Sequence, residues 1–383
     1  MAGDYSDACI EVLRLLRERH NVLVAGPPGT GKSRLLNEVA QAFLATAGTP
    51  PKPMHVPGAK VPIPKNPPTA TPVPSTQPSP TRTSRRVFRT VFHQNSKYRD
   101  FVSGLVPAVR TAFDAPTHVG AFRVVEGIMY RASEHARGQD GASLLIIDEI
   151  NRGPAVQVFG GSIVAIESDK RLAPDGTMRP EAQPFEVLVP NGDTIEYYLP
   201  HHLYLLAAMN QADTSVEPLD VAFLRRWTPY KIDPSDDVLR TYFGLPSLAS
   251  ALPAQPTAAA HVYEALVGAW AATNERIRLG RGGEFRIGHG VLMRADSPPQ
   301  APDTALRFAA EGWNVVRAHI DEVFFGHIEG IAAVLNVSPD SKSHPYKVEQ
   351  RDFADEPRLD LVGPEIADAS NVYAILRAVA SAM

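Results

Sequence analysis

"NVLVAGPPGTGKSRLLNEVAQAFLATA", residues 21–47, passes from an apolar run through a glycine-rich turn into a segment whose apolar residues recur at helical spacing. Within it, Gly26-Pro27-Pro28-Gly29-Thr30-Gly31-Lys32-Ser33 fits G-x-x-x-x-G-K-[ST] between a strand and a helix, the setting that the pattern requires. Glycines at 26, 29 and 31 let the backbone curl so that successive N–H groups face inward at a helix N-terminus, which makes an anion nest. Lys32 is then expected to reach the terminal phosphates of a nucleotide and Ser33 to ligate Mg²⁺, with Arg34 next to them in the binding set. A strand-turn-helix unit of this kind points to an α/β fold.

Further apolar runs support that class. "RTVFHQ", "SLLIID" and "LYLLAAM" read as strands with helical stretches between them, which predicts a mostly parallel sheet covered by helices on both faces. "SDACIEVLRLLRERH" ahead of the first strand reads as an amphipathic helix with Ser6 as N-cap. "FEVLVPNGDTIEYYL" carries Asn191-Gly192 between β-formers and predicts a hairpin over residues 185–198. After residue 232 the character turns to alanine-rich helix. The expected organisation is a nucleotide-binding core over 1–232 and a helical lid and C-terminal subdomain over 233–383.

The run "LLIIDEINRG" ends in two adjacent carboxylates, and desolvating either costs several kcal/mol unless something pairs with it. At the carboxyl edge of a parallel sheet, Asp148 would face the Mg²⁺ that Ser33 ligates. Glu149 would polarise a water for in-line attack on the γ-phosphate. Asn210, at the end of "LYLLAAMN", is a neutral amide that can hold that water without competing for the metal. Arg225 and Arg226 in "AFLRRW" could present a guanidinium to the γ-phosphate bound by an adjacent subunit.

Composition excludes several other classes. The chain has 383 residues, 44% of them hydrophobic, enough for one large or two ordinary packed domains. No apolar run approaches the roughly 20 residues needed to span a bilayer, and the first residues do not form a secretory signal, so a cytoplasmic protein without membrane contact is expected. The single cysteine, Cys9, can form no internal disulfide and reads as a small core residue. A net charge of -4 gives no global attraction to nucleic acid. One segment departs from this balance. Between Pro50 and Pro80 lie 12 of the chain's 35 prolines, and from Val39 to Arg99 there is no acidic residue. A proline-rich basic insertion over residues 48–84 is expected, either solvated or contacting nucleic acid or a partner.

The order of these features resembles the AAA+ ATPases, and within them the McrB family, the NTPase subunits of modified-cytosine restriction complexes. "TVFHQNSKYRDFVSGLVP", "LLIIDEINRGPAVQVFGGSIVAIESDKR", "HLYLLAAMNQADTS", "LDVAFLRRW" and "EFRIGHGVLM" are similar to family stretches over nearly the whole chain. The DEINR element is shared with the MoxR chaperone-like ATPases, whereas "MNQAD" and "YRDFVSG" lean toward McrB. Leu224 stands where the family has the first of three arginines, which leaves open whether Arg225 or Arg226 acts across a subunit boundary. Gln211 and Thr214 also depart from the pattern. The resemblance implies ATP as substrate with GTP as an alternative, Mg²⁺, a hexameric ring, and a McrC-like nuclease partner through which DNA would be recognised, since the loop starts at Gly26 and leaves no room for a DNA-reading domain before it. The alternative is a MoxR-type remodelling ATPase acting on a protein client. Arg286 would be a second γ-phosphate sensor or a lid salt bridge, and His93, Tyr98 and Asp100 would line a subunit contact or pack locally.

Overall fold

The computed structural model describes residues 5–45, 76–107, 122–212, 219–294, 296–338 and 343–381. The chain divides into two compact units, Met1–Ala25 with Lys32–Lys231, and Gly26–Gly31 with Ile232–Met383.

The first unit is built on a five-stranded parallel sheet in the order Ser84–Val91 (β2), Gly141–Asp148 (β5), Leu203–Asn210 (β8), Asn21–Gly26 (β1) and Thr228–Lys231 (β9). The central strands β5, β8 and β1 are buried on both faces, so their apolar runs are continuous rather than alternating. Helices Asp7–Arg19 (α1), Lys32–Leu44 (α2) and Ile128–Arg137 (α4) pack on this sheet. The Ser6 hydroxyl caps α1 by accepting from Cys9 N at 3.2 Å. Cys9 is fully buried, and burial pushes its thiol up to about 12. Between these elements lie short helices Tyr98–Phe101 (α3), Ala155–Phe159 (α5), Ser162–Ala165 (α6) and Val221–Leu224 (α7). Two antiparallel hairpins complete the unit, Ser103–Pro107 (β3) with Phe122–Glu126 (β4) and Phe185–Leu188 (β6) with Thr194–Tyr197 (β7).

Two strands differ from the pattern reading. β2 begins five residues before "RTVFHQ", taking in Arg85 and Arg86 as well as Arg89, because an edge strand with half-exposed side chains tolerates charges that a central strand would not. β9, "TPYK", completes the sheet although it is short, polar and contains proline, which an edge position accommodates. Most of the proline-rich insertion, residues 48–75, lies outside the described residues.

In the second unit, helices Asp236–Phe243 (α8), Ala259–Gly280 (α9), Pro302–Val323 (α10), Ile328–Val334 (α11) and Val372–Ala380 (α12) enclose a core around Trp270, Trp313 and Phe308. This unit is not helical throughout. Lys347–Phe353 (β10) and Glu356–Val362 (β11) form an antiparallel hairpin whose turn places Ala354 and Asp355 at φ 50 and 63. Two successive left-handed residues make the tight turn that matches strand twist, here without the glycine that would have signalled it.

Candidate active site

The loop leaving β1 has Gly29 at φ 75 and Gly31 at φ 88, the left-handed region in which a side chain would be strained. Thr30 is buried and donates its hydroxyl to Pro27 O at 2.9 Å, which braces the turn from inside. Helix α2 follows at Lys32, and its first turn carries no acidic residue to offset the positive end of the helix dipole. Ser33 and Arg34 in that turn are exposed. Lys32 is only 8% exposed, and its ammonium is lowered to about 8, chiefly by burial, with the charges of Glu149 and Asp148 opposing the shift. This buried cation lies within the field of both carboxylates.

Because the strands are parallel, β1, β5 and β8 all end at one edge of the sheet, and this edge carries Asp148 and Asn210. The Asp148 carboxylate accepts from the Glu149 N–H at 3.1 Å. Glu149 itself adopts φ 52, ψ 44, a left-handed conformation rare outside glycine and asparagine. Asn210 Nδ2 donates to Glu149 Oε1 at 2.7 Å, and Arg152 lies 3.5 Å from Glu149 Oε2. Asn210, expected to hold a water, holds the glutamate with its amide in this geometry. Asn151, missed from sequence, is buried and donates to Asn210 O at 2.8 Å. No sequence signal marks such a role, since its partner is a backbone carbonyl far along the chain.

Arg225 and Arg226 lie elsewhere. Asn21, at the start of β1, donates to Arg226 O at 3.1 Å and to Ile166 O at 2.8 Å, and so ties the arginine pair to the opposite edge of the sheet. Phe223 and Trp227 on either side are buried in the aromatic cluster around Phe159. The length of β1 puts the pair about 17 Å along the sheet from the edge that carries Asp148. Arg226 is committed within its own unit, ion-paired to Glu167 at 2.9 Å and bonded to Ala222 O. Arg225 is exposed and makes no side-chain hydrogen bond or ion pair among the described residues.

Ser33 offers a hydroxyl and Asp148 a carboxylate, oxygen donors of the kind that a hard divalent ion takes. Among the described residues no group of three or more His, Cys, Asp or Glu is placed to hold an ion. Two hard oxygen donors without an enclosing cage suit Mg²⁺, which takes most of its shell from phosphates and water.

Of the remaining candidates, Arg286 pairs with Asp233 at 2.5 Å. Tyr98 donates to Glu186 O at 2.9 Å, His93 Nδ1 accepts from Asn95 N at 3.2 Å, and Asp100 lies 3.6 Å from Arg99. Gln211 follows β8 and is exposed, and Thr214 lies outside the described residues. No described helix is long and apolar enough to cross a membrane.

Residues 80–227 match the AAA domain of the dynein-related subfamily. The chain is 28% identical over 299 residues to the Type IV methyl-directed restriction enzyme EcoKMcrB subunit of Escherichia coli, an alignment covering 76% of this chain and 51% of the relative. It is 38% identical over 86 residues to the Type II restriction enzyme BsuMI component YdiS of Bacillus subtilis, covering 22% and 25% of the two chains. The chain thus spans about half the length of the first relative and a quarter of the second. A solved structure from Cytophaga hutchinsonii aligns over 85% of this chain and 78% of its own at 14% identity, with a TM-score of 0.32.

Proposed function

We propose that this chain, an AAA+ ATPase with a dynein-related AAA domain, is a ring-forming motor subunit that hydrolyses ATP or GTP and drives a McrC-like nuclease partner in restriction of foreign DNA. The observation that carries the reading is the division of the catalytic groups between the two edges of one sheet. Lys32, Asp148, Glu149 and Asn210 gather at one edge, and Arg225 stands exposed about 17 Å away along β1. A guanidinium so placed reaches a γ-phosphate only on a neighbouring copy, which is what a closed ring, a hexamer in this reading, provides.

In hydrolysis the inward N–H groups of Gly29, Thr30 and Gly31 and the Lys32 ammonium hold the phosphate chain. Ser33 and Asp148 would hold Mg²⁺, which would supply positive charge against the negative charge of the phosphate chain. Glu149 accepts the proton of the attacking water, and the Asn210 amide fixes the carboxylate for that transfer. Arg225 of the adjacent subunit stabilises charge on the transferring phosphoryl group. The restriction role is supported by likeness to two restriction-system proteins.

Mixing tests the arrangement. Lys32→Ala and Arg225→Ala are each expected to lose at least a hundredfold in turnover, and mixing the two is expected to restore activity, because some junctions then pair an intact loop with an intact arginine. Arg226→Ala is expected to lower stability instead. Wild-type turnover by Arg225→Ala alone would overturn the trans assignment, and absence of any purine triphosphate binding would overturn the enzyme. Co-purification of a nuclease-domain protein with the tagged chain tests the partner.

A further inference from the structure

Within the second unit, the segment 286–292 runs against the outside of the phosphate loop. Gly288 N donates to Pro28 O at 2.9 Å, and Gly290 N donates to Gly29 O at 2.8 Å. The approach leaves no room for side chains. A Cβ at Gly288 would lie 2.0 Å from the Gly29 carbonyl carbon, and one at Gly290 would lie 2.7 Å from Gly29 O. On the loop's side, a Cβ at Gly29 would meet Val291 Cγ2 at 3.0 Å.

The segment is itself fixed. Asn274 of α9, buried, accepts from Ile287 N at 2.6 Å and donates to Ile287 O at 2.9 Å. His289 Nδ1 accepts from Ser235 N at 3.3 Å, and its Nε2 lies 4.0 Å from where Gly31 would carry a Cβ. In an anion nest the N–H groups turn inward, which turns carbonyls outward, and those carbonyls need donors. Gly288 and Gly290 supply two of them.

Resting on the nucleotide-binding reading of the loop, we propose that Gly288-His289-Gly290 is a template that holds the phosphate loop in its anion-binding shape. Gly288 and Gly290 are positioning residues that act through the loop backbone, and His289 holds the segment by accepting from Ser235 N. Because the loop and the segment share hydrogen bonds, coupling between them is reciprocal: nucleotide in the cradle steadies the segment, and loosening the segment weakens nucleotide binding. The tie to α9 through Asn274 carries that effect into the helical unit.

Two measurements on the full chain test this. The first is titration of Mg-ADP into Gly288→Ala, Gly290→Ala, His289→Ala and His289→Asn, with folding checked by circular dichroism. The glycine variants are expected to raise the Kd at least tenfold. His289→Asn, which keeps an acceptor for Ser235 N, is expected to bind more tightly than His289→Ala. The second is amide hydrogen exchange of the wild-type chain, in which Mg-ADP should slow exchange at Gly288 and Gly290 at least tenfold. Folded glycine variants with a wild-type Kd, or unchanged exchange at both amides, would overturn the proposal and leave the nucleotide site standing. Failure of the wild type to bind Mg-ADP or ATP would instead strike the functional reading beneath it.

Discussion

Glu149 sits in a backbone conformation that costs a non-glycine residue on the order of 1 kcal/mol and persists only where the surroundings over-determine it. Asn210 holds its carboxylate, and Asn151 holds the end of the strand that delivers Asn210. Asn151→Ala is therefore expected to lower kcat by about ten- to a hundredfold with little change in KM, since it disturbs aim rather than nucleotide contact. An unchanged kcat would show that β8 is aligned without it. Lys32 makes a second prediction, in pH. Its pKa in the folded chain is lowered to about 8 by burial, so below that pH it is charged and can hold a triphosphate. Nucleotide affinity should fall as pH rises through about 8, whereas Lys32→Arg, weaker throughout, should stay flat to higher pH. The linkage for folding has the opposite sense: between about 8 and the unfolded value the unfolded chain binds more protons, so the nucleotide-free fold gains stability as pH rises. The P-loop, the acidic pair and Asn210 were legible because each has a side-chain type at a fixed distance from an apolar run. Asn151 and the Gly288–Gly290 contacts were not, because they act on backbone groups distant in sequence.

Among the elements, those with two buried faces announced themselves and those with one did not. β1, β5 and β8 could be read directly, because a strand buried on both sides has no room for polar residues. β9 and the β10–β11 hairpin are exposed along much of their length, so their side chains report solvent rather than strand geometry. The proline-rich insertion carries an element-scale prediction. Gln77 Nε2 donates to the carbonyls of Ala42, Phe43 and Ala45 at 3.0, 2.8 and 3.2 Å, closing the end of α2. Ser79 then contacts His202 Nδ1 at 2.6 Å and Tyr204 OH at 2.5 Å. The two ends of the segment 46–75 are thus held side by side, and the cost of closing a loop changes only slowly with its length. Replacing 46–75 by a short Gly/Ser linker should leave the melting temperature within a few degrees and turnover intact. Gln77→Ala, which leaves buried carbonyls without a donor, should cost about 1–3 kcal/mol. If the linker replacement unfolded the first unit and Gln77→Ala did not, the segment rather than its anchor would be supporting α2.

At the scale of the whole chain, the two units have separate buried cores and separate answers to buried charge, which sets how each responds to acid. In the second unit Arg240 is paired with Glu264 at 2.6 Å, both side chains almost fully buried. In the first, Arg171 is fully buried with no carboxylate partner among the described residues, bonded to Asn21 Oδ1 at 2.6 Å and to the Ile166 and Leu203 carbonyls. Near it lie His20 and His201, with ring centroids 4.5 Å apart. Burial, then the charge of Arg171, holds His20 well below its ordinary value, and burial with His202 beside it lowers His201 to about 4. Burial lowers His202 and His135 as well, and in the second unit it lowers His344. A histidine whose pKa is depressed on folding contributes stability that is fully present above the unfolded value near 6.5 and is lost as pH falls toward the folded value. More such groups, set beside an uncompensated guanidinium, belong to the first unit. Scanning calorimetry should therefore show two unfolding transitions, and lowering the pH from 7.5 to 5 should move the one assigned to the first unit down by about 5 °C or more relative to the other. His20→Asn should narrow that gap by removing the most deeply buried imidazole. Two transitions that shift in parallel with pH would show that the histidine cluster does not set the acid stability of the sheet unit.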